Sequence, residues 1–459
     1  MSDTRQAVVV IHGIGEQRPM DTLRRFVEAI MPDPPGGKPK FWSKPDPMSE
    51  LFELRRLTTP QTRSIPPTDF YEYYWAFHAH GTRFMHVWAW ARSLLFRRPT
   101  NVPKHLQPLW FTLWTLIVAT LVFLATAAGA RMLGSWNQFV TASYIVSGIS
   151  TLVLGTISGF IINYLGDAAR YLNPKPANID MRRRIRADGV ALLRKLHESG
   201  EYDRIVVVGH SLGSVIAYDV LRHLWPRYNT AHGEPATIHQ TEIYALDTIA
   251  PLIAAKSTAE RLQEFRNKQV AVWREQRGLG NPWLITDLVT LGCPLAHAAL
   301  LLAETDAELR DRQEERELPT CPPILDDDSA SYDFTYETRT GAKRTQRVLH
   351  HGAVFGETRW TNIYFAAWMG FFGDLVGGPL RGVFGFGIKD VAVSSAEWKG
   401  LLQHTPISHT HYWNVRTVSA AGSNATPWAL DAVRDSLGLE SRALVKGITR
   451  ERAAYGTSD

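Results

Sequence analysis

Arg204-Ile205-Val206-Val207-Val208-Gly209-His210-Ser211-Leu212-Gly213 is the stretch on which the reading of this chain turns. The β-branched run at 205–208 reads as a fully buried parallel strand. It leads straight into Gly-x-Ser-x-Gly, with a glycine two residues on either side of Ser211. Small flanking residues suit a tight strand-to-helix turn, where the serine backbone is strained and its neighbours are crowded. Ser214-Val215-Ile216-Ala217-Tyr218-Asp219-Val220-Leu221 follows with apolar residues at helical spacing. Strand, pentapeptide and helix thus come in the order a nucleophile elbow requires, and Ser211 is the candidate nucleophile.

A second buried-strand run, Ala7-Val8-Val9-Val10-Ile11, ends in His12-Gly13-Ile14-Gly15-Glu16-Gln17. Glycines there let backbone N–H groups come close to developing negative charge. With both motifs in view, the chain resembles the α/β-hydrolase superfamily, in particular its lipase-like and esterase-like serine hydrolases. The resemblance implies an α/β fold with a mostly parallel sheet flanked by helices. It also implies an oxyanion hole made by the N–H groups of Gly13, Ile14 and Leu212, and a triad in chain order Ser, acid, His.

The acid is sought after a late strand. Leu288-Val289-Thr290-Leu291 reads as a strand, but the turn Gly292-Cys293-Pro294-Leu295 carries no carboxylate and is read as structural. Trp360-Thr361-Asn362-Ile363-Tyr364-Phe365 reads as the next strand, with Gly373-Asp374-Leu375-Val376-Gly377-Gly378-Pro379-Leu380 beyond it. This is similar to the Asp-x-Val-Gly-x-Pro-Leu context of related hydrolases and implies Asp374 as the acid, with Asp390 in reserve. For the base, Ser408-His409-Thr410-His411-Tyr412-Trp413 offers two histidines. The family's His-x-x-Tyr-Trp pattern selects His409. In an extended loop His411 would point the same way, so it stays an alternative.

Composition bounds the rest. A chain of 459 residues, 45% hydrophobic, is long enough for one large α/β domain with an insertion. Its 50 basic and 45 acidic residues leave a net charge of +5, which does not call for a nucleic-acid partner. Two cysteines, Cys293 and Cys321, argue against a disulfide framework. No cleavable signal peptide is expected, because the first apolar run is only as long as a strand. No cofactor and no metal is expected: the histidines lack a zinc spacing, and the acidic run Asp326-Asp327-Asp328 reads as a solvated loop within a charged region, 304–347.

The anomaly lies between the two motifs. Residues 109–130 and 139–165 carry no charge, and a bilayer core takes roughly 20 apolar residues of helix. Only a short spacer separates them, so a two-helix transmembrane hairpin is expected to interrupt the hydrolase domain; an apolar cap over the site is the alternative. Small residues at Gly148, Gly155 and Gly159 would allow close helix contact in lipid. Arg83, Arg92, Arg97, Arg98 and Lys104 precede the pair, and Arg170, Lys175, Arg182, Arg183, Arg184 and Arg186 follow it, whereas the tip carries only Arg131. The positive-inside rule then puts both termini and the catalytic domain in the cytoplasm. The expected organisation is hydrolase sequence at 1–104 and 167–440, the hairpin at 105–166, and a polar tail at 441–459.

These readings point to a membrane-anchored serine esterase or lipase, with membrane lipids and a lipid or small-molecule ester as partners. A thioesterase, amidase or acyltransferase could use the same residues, and a non-catalytic membrane scaffold could keep the same fold.

Overall fold

The two valine-rich runs lie side by side at the centre of an eight-stranded sheet in a computed structural model of the chain. The structure describes residues 4–13, 18–62, 64–79, 96–99, 102, 107–132, 141, 145–148, 151, 171–172, 176–230, 240–303, 305–337, 341–367, 373–395, 401–414 and 427–440.

Strands β1 (Gln6–Ile11), β2 (Trp42–Pro45), β3 (Arg55–Thr59), β4 (Thr68–Tyr73), β5 (Arg204–His210) and β6 (Ile285–Leu291) are joined in the chain by β7 (Ser331–Glu337), β8 (Lys343–Leu349), β9 (Arg359–Phe365) and β10 (Lys389–Val393). The sheet order is β10-β9-β6-β5-β1-β4-β3-β2. The first six of these run parallel, while β3 and β2 close one edge antiparallel. β7 and β8 form a separate antiparallel hairpin that starts in the charged 304–347 region and ends just beyond it, and Asp326, Asp327 and Asp328 of that region are exposed.

Helices cover both faces, which explains why the central strands are apolar on both sides. Ala7, Val9, Ile205 and Val207 pack with Ile185 and Leu193 of α3 (Pro176–Glu198) and Ile216 of α4 (Leu212–Tyr228). Leu246 of α5 (Thr241–Ala255) and Phe265 of α6 (Ala259–Gly278) complete that layer. Their strand neighbours Val8, Val10, Val206 and Val208 face the other way, onto Leu23 and Phe26 of α1 (Asp21–Ile30) and Val433 of α7 (Ala429–Leu437). This is the period of two expected of a strand, with both sets buried.

The five strands expected from the sequence, Ala7–Ile11, Phe70–Ala76, Ile205–Val208, Leu288–Leu291 and Trp360–Phe365, are all present. The one expected from Phe70 onward stops at Tyr73, because Trp75 turns away to donate its indole N–H to the His12 carbonyl at 2.9 Å. A buried charge pair was not foreseen. Arg204, in the central strand, donates to Asp287 at 2.6 Å, and Arg359 meets the same carboxylate at 2.8 Å. Arg204 also reaches the carbonyls of Leu437 and Gly438, tying the end of α7 to the sheet. Burial pushes the Asp287 carboxyl up, but Arg359 and Arg204 overcome it and hold it well below the usual range. Asp287→Ala would strand a buried guanidinium. We expect it to lower stability by about 3–5 kcal/mol in a urea titration, against little change for an exposed control such as Asp328→Ala.

Between the motifs, α2 (Gln107–Met132) runs 26 residues, about 39 Å at 1.5 Å per residue. Phe111, Val118, Leu121, Val122 and Leu124 along it are exposed. The expected second span, 139–165, falls mostly outside the described residues, as does the 441–459 tail. Among the described residues no helix is long and apolar enough to cross a membrane.

Candidate active site

Ser211 stands between β5 and α4 with φ 53° and ψ −128°, a backbone that L-residues rarely adopt and that costs of order 1–3 kcal/mol. The strain persists because its surroundings leave no room. A Cβ on Gly209 would lie 2.4 Å from the Ser214 Cα, and one on Gly213 would lie 2.2 Å from the Ile11 carbonyl oxygen. Both glycines of the pentapeptide are therefore required by close backbone approach, one within the turn and one across to β1. Ser211 is buried, and its Oγ has no hydrogen-bond partner among the described residues.

The remaining groups gather at the carboxyl ends of β5, β6 and β9. The Ser211 N–H donates to the Leu291 carbonyl at 2.9 Å. Gly292 comes next, and its Cα sits against a His–Asp pair: a Cβ there would fall 2.8 Å from His409 Nδ1 and 2.9 Å from Asp374 Oδ2. The His409 Nδ1–H donates to Asp374 at 2.9 and 3.0 Å, with both side chains buried. Nδ1 is thereby committed as the donor, which leaves Nε2 as the basic atom of the ring.

Asp374 is held on all sides. Its Oδ1 accepts the N–H groups of Val376 at 2.8 Å and Gly377 at 3.0 Å, and its Oδ2 accepts the Tyr412 hydroxyl at 2.6 Å. Burial pushes this carboxyl up, but His409, Tyr412 and the Gly377 N–H outweigh it and hold it at about 2. Asp390, the reserve acid, is spent elsewhere. It accepts the Leu380 and Arg381 N–H groups and the Asn362 amide, and so shapes the loop after Asp374.

A 3₁₀ turn separates the two candidate histidines. Residues Pro406–Thr410 are not extended, so His409 and His411 do not share a face. His411 turns its Nδ1 to the Ile407 carbonyl at 2.9 Å, within its own turn.

Of the three expected oxyanion donors, Leu212 opens α4, whose N-terminal amides carry partial positive charge. Gly13 lies against Ser211, since a Cβ there would be 2.9 Å from Ser211 Cβ. Ile14 lies outside the described residues.

Two supporting residues went unread in the sequence. Tyr412 was visible only as part of the His-x-x-Tyr-Trp pattern, without a task. His210 donates Nε2–H to the His409 carbonyl at 2.8 Å and so tethers the candidate base to the residue beside Ser211. Adjacency to the serine was its only signal. Burial lowers the His210 ring to about 3 and the His12 ring to about 4, so both are neutral at ordinary pH. Burial also raises the Cys293 thiol to about 12, which leaves it inert. Among the described residues no group of three or more His, Cys, Asp or Glu could hold a metal ion.

A pH dependence follows. His12, His197, His210 and His350 are all lowered by burial, to about 3 for His210 and about 4 for the others. Below pH 6.5 the unfolded chain takes up protons that the folded chain refuses. Their contribution is therefore present above pH 6.5 and is lost as pH falls toward 4. Thermal melts between pH 7.5 and 4 should show a steady fall in midpoint that begins near 6.5; a flat profile down to pH 4.5 would contradict it.

A cavity of about 540 Å³ is lined not by this cluster but by α3 and the far half of α4, including His223 and Arg227. Comparison with protein-family models, curated proteins and solved structures gives no match.

Proposed function

We propose that this chain is a membrane-anchored serine hydrolase of the α/β-hydrolase type, cleaving the ester of a lipid or another apolar acyl compound. The observation that carries the reading is the buried His409–Asp374 pair at 2.9 Å, at the strand ends where Ser211 occupies its strained turn.

In this reading Ser211 Oγ attacks the ester carbonyl while His409 Nε2 takes its proton. Asp374 keeps the ring in the Nδ1–H tautomer and stabilises the imidazolium that forms. The Leu212 amide and the Gly13–Ile14 turn receive the oxyanion. The imidazolium then protonates the leaving alcohol. Water, activated by the same histidine, releases the acid from the acyl-enzyme. A fluorophosphonate probe with mass mapping tests the proposal: the adduct is expected on Ser211. A chain that stays unlabelled while folded would favour the scaffold reading.

The anchor rests on a different observation. Apolar side chains stay exposed along α2, Leu121 at 61% and Val122 at 53% among them, and an apolar face of that kind needs lipid or protein to cover it. The two uncharged stretches and their basic flanks give the topology. Membranes washed with carbonate at pH 11 should retain the chain in the pellet, and release into the supernatant would sink the anchor. A cysteine placed at Ser135 should label from outside intact cells, and one placed at Asn178 should not.

A further inference from the structure

The groove between α3 and α4 has a lining that the proposed hydrolysis leaves unused. Arg182, Arg183, Arg186 and Arg194 come from α3 and Arg227 from α4, and no carboxylate is among the lining residues. Like charges so concentrated repel one another unless an anion sits between them. Acids outside the lining answer Arg183 (Asp180), Arg186 (Asp219) and Arg194 (Glu198, at 3.7 Å), but leave Arg182 and Arg227. Asp219 is already saturated: Arg186 reaches it at 2.7 Å, Arg222 at 2.8 Å and the Tyr171 hydroxyl at 2.8 Å. Asp180 takes Arg183 and Arg184 at the exposed outer rim. Arg182 and Arg227 have no carboxylate partner among the described residues, and the Arg182 Nε is buried without a hydrogen bond. Burial and the neighbouring Arg186 depress the Arg182 guanidinium against the opposing pull of Asp219 and Tyr171. His223 lines the same groove.

We infer that this groove binds the phosphate-bearing headgroup of an anionic membrane lipid, with Arg182 and Arg227 as its principal ligands. Guanidinium forks match phosphate oxygens in pairs. The volume, about 540 Å³, suits a headgroup with its glycerol. Ile179, Ala187, Val190 and Ala191 add an apolar wall on which the glycerol and first methylenes can rest. Ile179 is 52% exposed at the mouth. Position favours a lipid over a free phosphate. Arg182 follows the second uncharged stretch, which ends at Leu165, within the juxtamembrane distance at which basic residues meet anionic headgroups. The site also lies well away from Ser211: Arg227 is 15 residues along α4 from Leu212, about 22 Å at 1.5 Å per residue. Occupancy would fix how the catalytic domain sits on the bilayer without touching the reacting atoms.

The inference rests on the membrane-anchor reading only for the source of the lipid, and a water-soluble ligand tests it independently of the spans. The full chain, purified in a neutral detergent, is titrated calorimetrically with dihexanoyl phosphatidic acid, dihexanoyl phosphatidylcholine and inorganic phosphate in about 0.15 M salt. Saturable binding of the phosphatidic acid alone is expected, weakened at least ~10-fold in Arg182→Gln/Arg227→Gln. Thermal melting checks that this variant is folded. Arg182→Lys/Arg227→Lys, which keeps the charge but loses the fork, should bind with intermediate affinity. Inorganic phosphate binding as tightly as the lipid would overturn the lipid assignment. Undiminished binding to a folded Gln variant, or no saturable binding at all, would overturn the site. Carbonate extraction is unaffected by any of these outcomes, so failure of the groove and failure of the anchor are distinguishable.

Discussion

Ser211→Ala is expected to abolish fluorophosphonate labelling and to lower ester hydrolysis by at least ~10³-fold, with the melting temperature nearly unchanged. Loss of the whole covalent route explains the size of the effect: the oxyanion donors and the substrate contacts remain, but they have no nucleophile to assist. Stability should hold because Ser211 Oγ has no hydrogen bond to lose, and the positive φ is set by the Gly209 and Gly213 contacts on either side. Labelling that persists in Ser211→Ala would mean that another residue reacts. Activity within tenfold of the starting chain would remove Ser211 from the mechanism.

Asp374→Asn is the second large effect, expected near 10⁴-fold in kcat with little change in KM. The carboxylate accepts from four different donors: the His409 ring, the Tyr412 hydroxyl and two backbone N–H groups. An amide supplies only one acceptor oxygen. Its NH₂ must face either a backbone N–H or the His409 Nδ1–H, and in the second case it drives the proton to Nε2, where the ring can no longer act as a base. Because the Asp374 carboxyl is held at about 2, it stays ionised throughout the neutral range. Any stabilising contribution from that carboxylate is present above the ordinary carboxylate pKa and is lost only as pH falls toward 2. Stopped-flow measurement of acylation separates this defect from misfolding. Asp390→Asn is the control: its carboxylate serves the Leu380 and Arg381 amides and Asn362, so it should lose far less. The assignment fails if the two variants are equally active.

How much could be read in advance depended on how local the signal was. The central strands were legible because burial on both faces forces unbroken Val and Ile runs, and their helix-bearing partners follow from chain order. The edge strands were not. Trp42–Pro45 is exposed, and Arg55–Thr59 mixes charge with threonine, so neither shows an apolar period. Lys389–Val393, at the opposite edge, is only partly buried for the same reason. Arg204 and Asp287 run against pattern altogether. Charges on core strands read as surface residues until the partner strand is known to place them 2.6 Å apart.

The candidate site divides along the same line. Ser211 and its flanking glycines are contiguous in sequence, as is the separate strand-to-turn run that ends at Gly13, and the spacing within the first specifies a turn that only such residues can make. Asp374 and His409 lie 35 positions apart, and neither segment by itself says which carboxylate meets which ring. That was decided by tertiary structure. A 3₁₀ turn separated His409 from His411, backbone amides claimed Asp390, and Tyr412 and His210 came in as supports with no pattern to announce them. The arginine groove is of the same kind. The run at 182–186 was visible in sequence, but Arg227 and the saturation of Asp219 join it only once α3 packs on α4. Local backbone geometry is encoded in neighbouring residues, whereas hydrogen-bond partners and counter-charges are chosen by packing between distant ones.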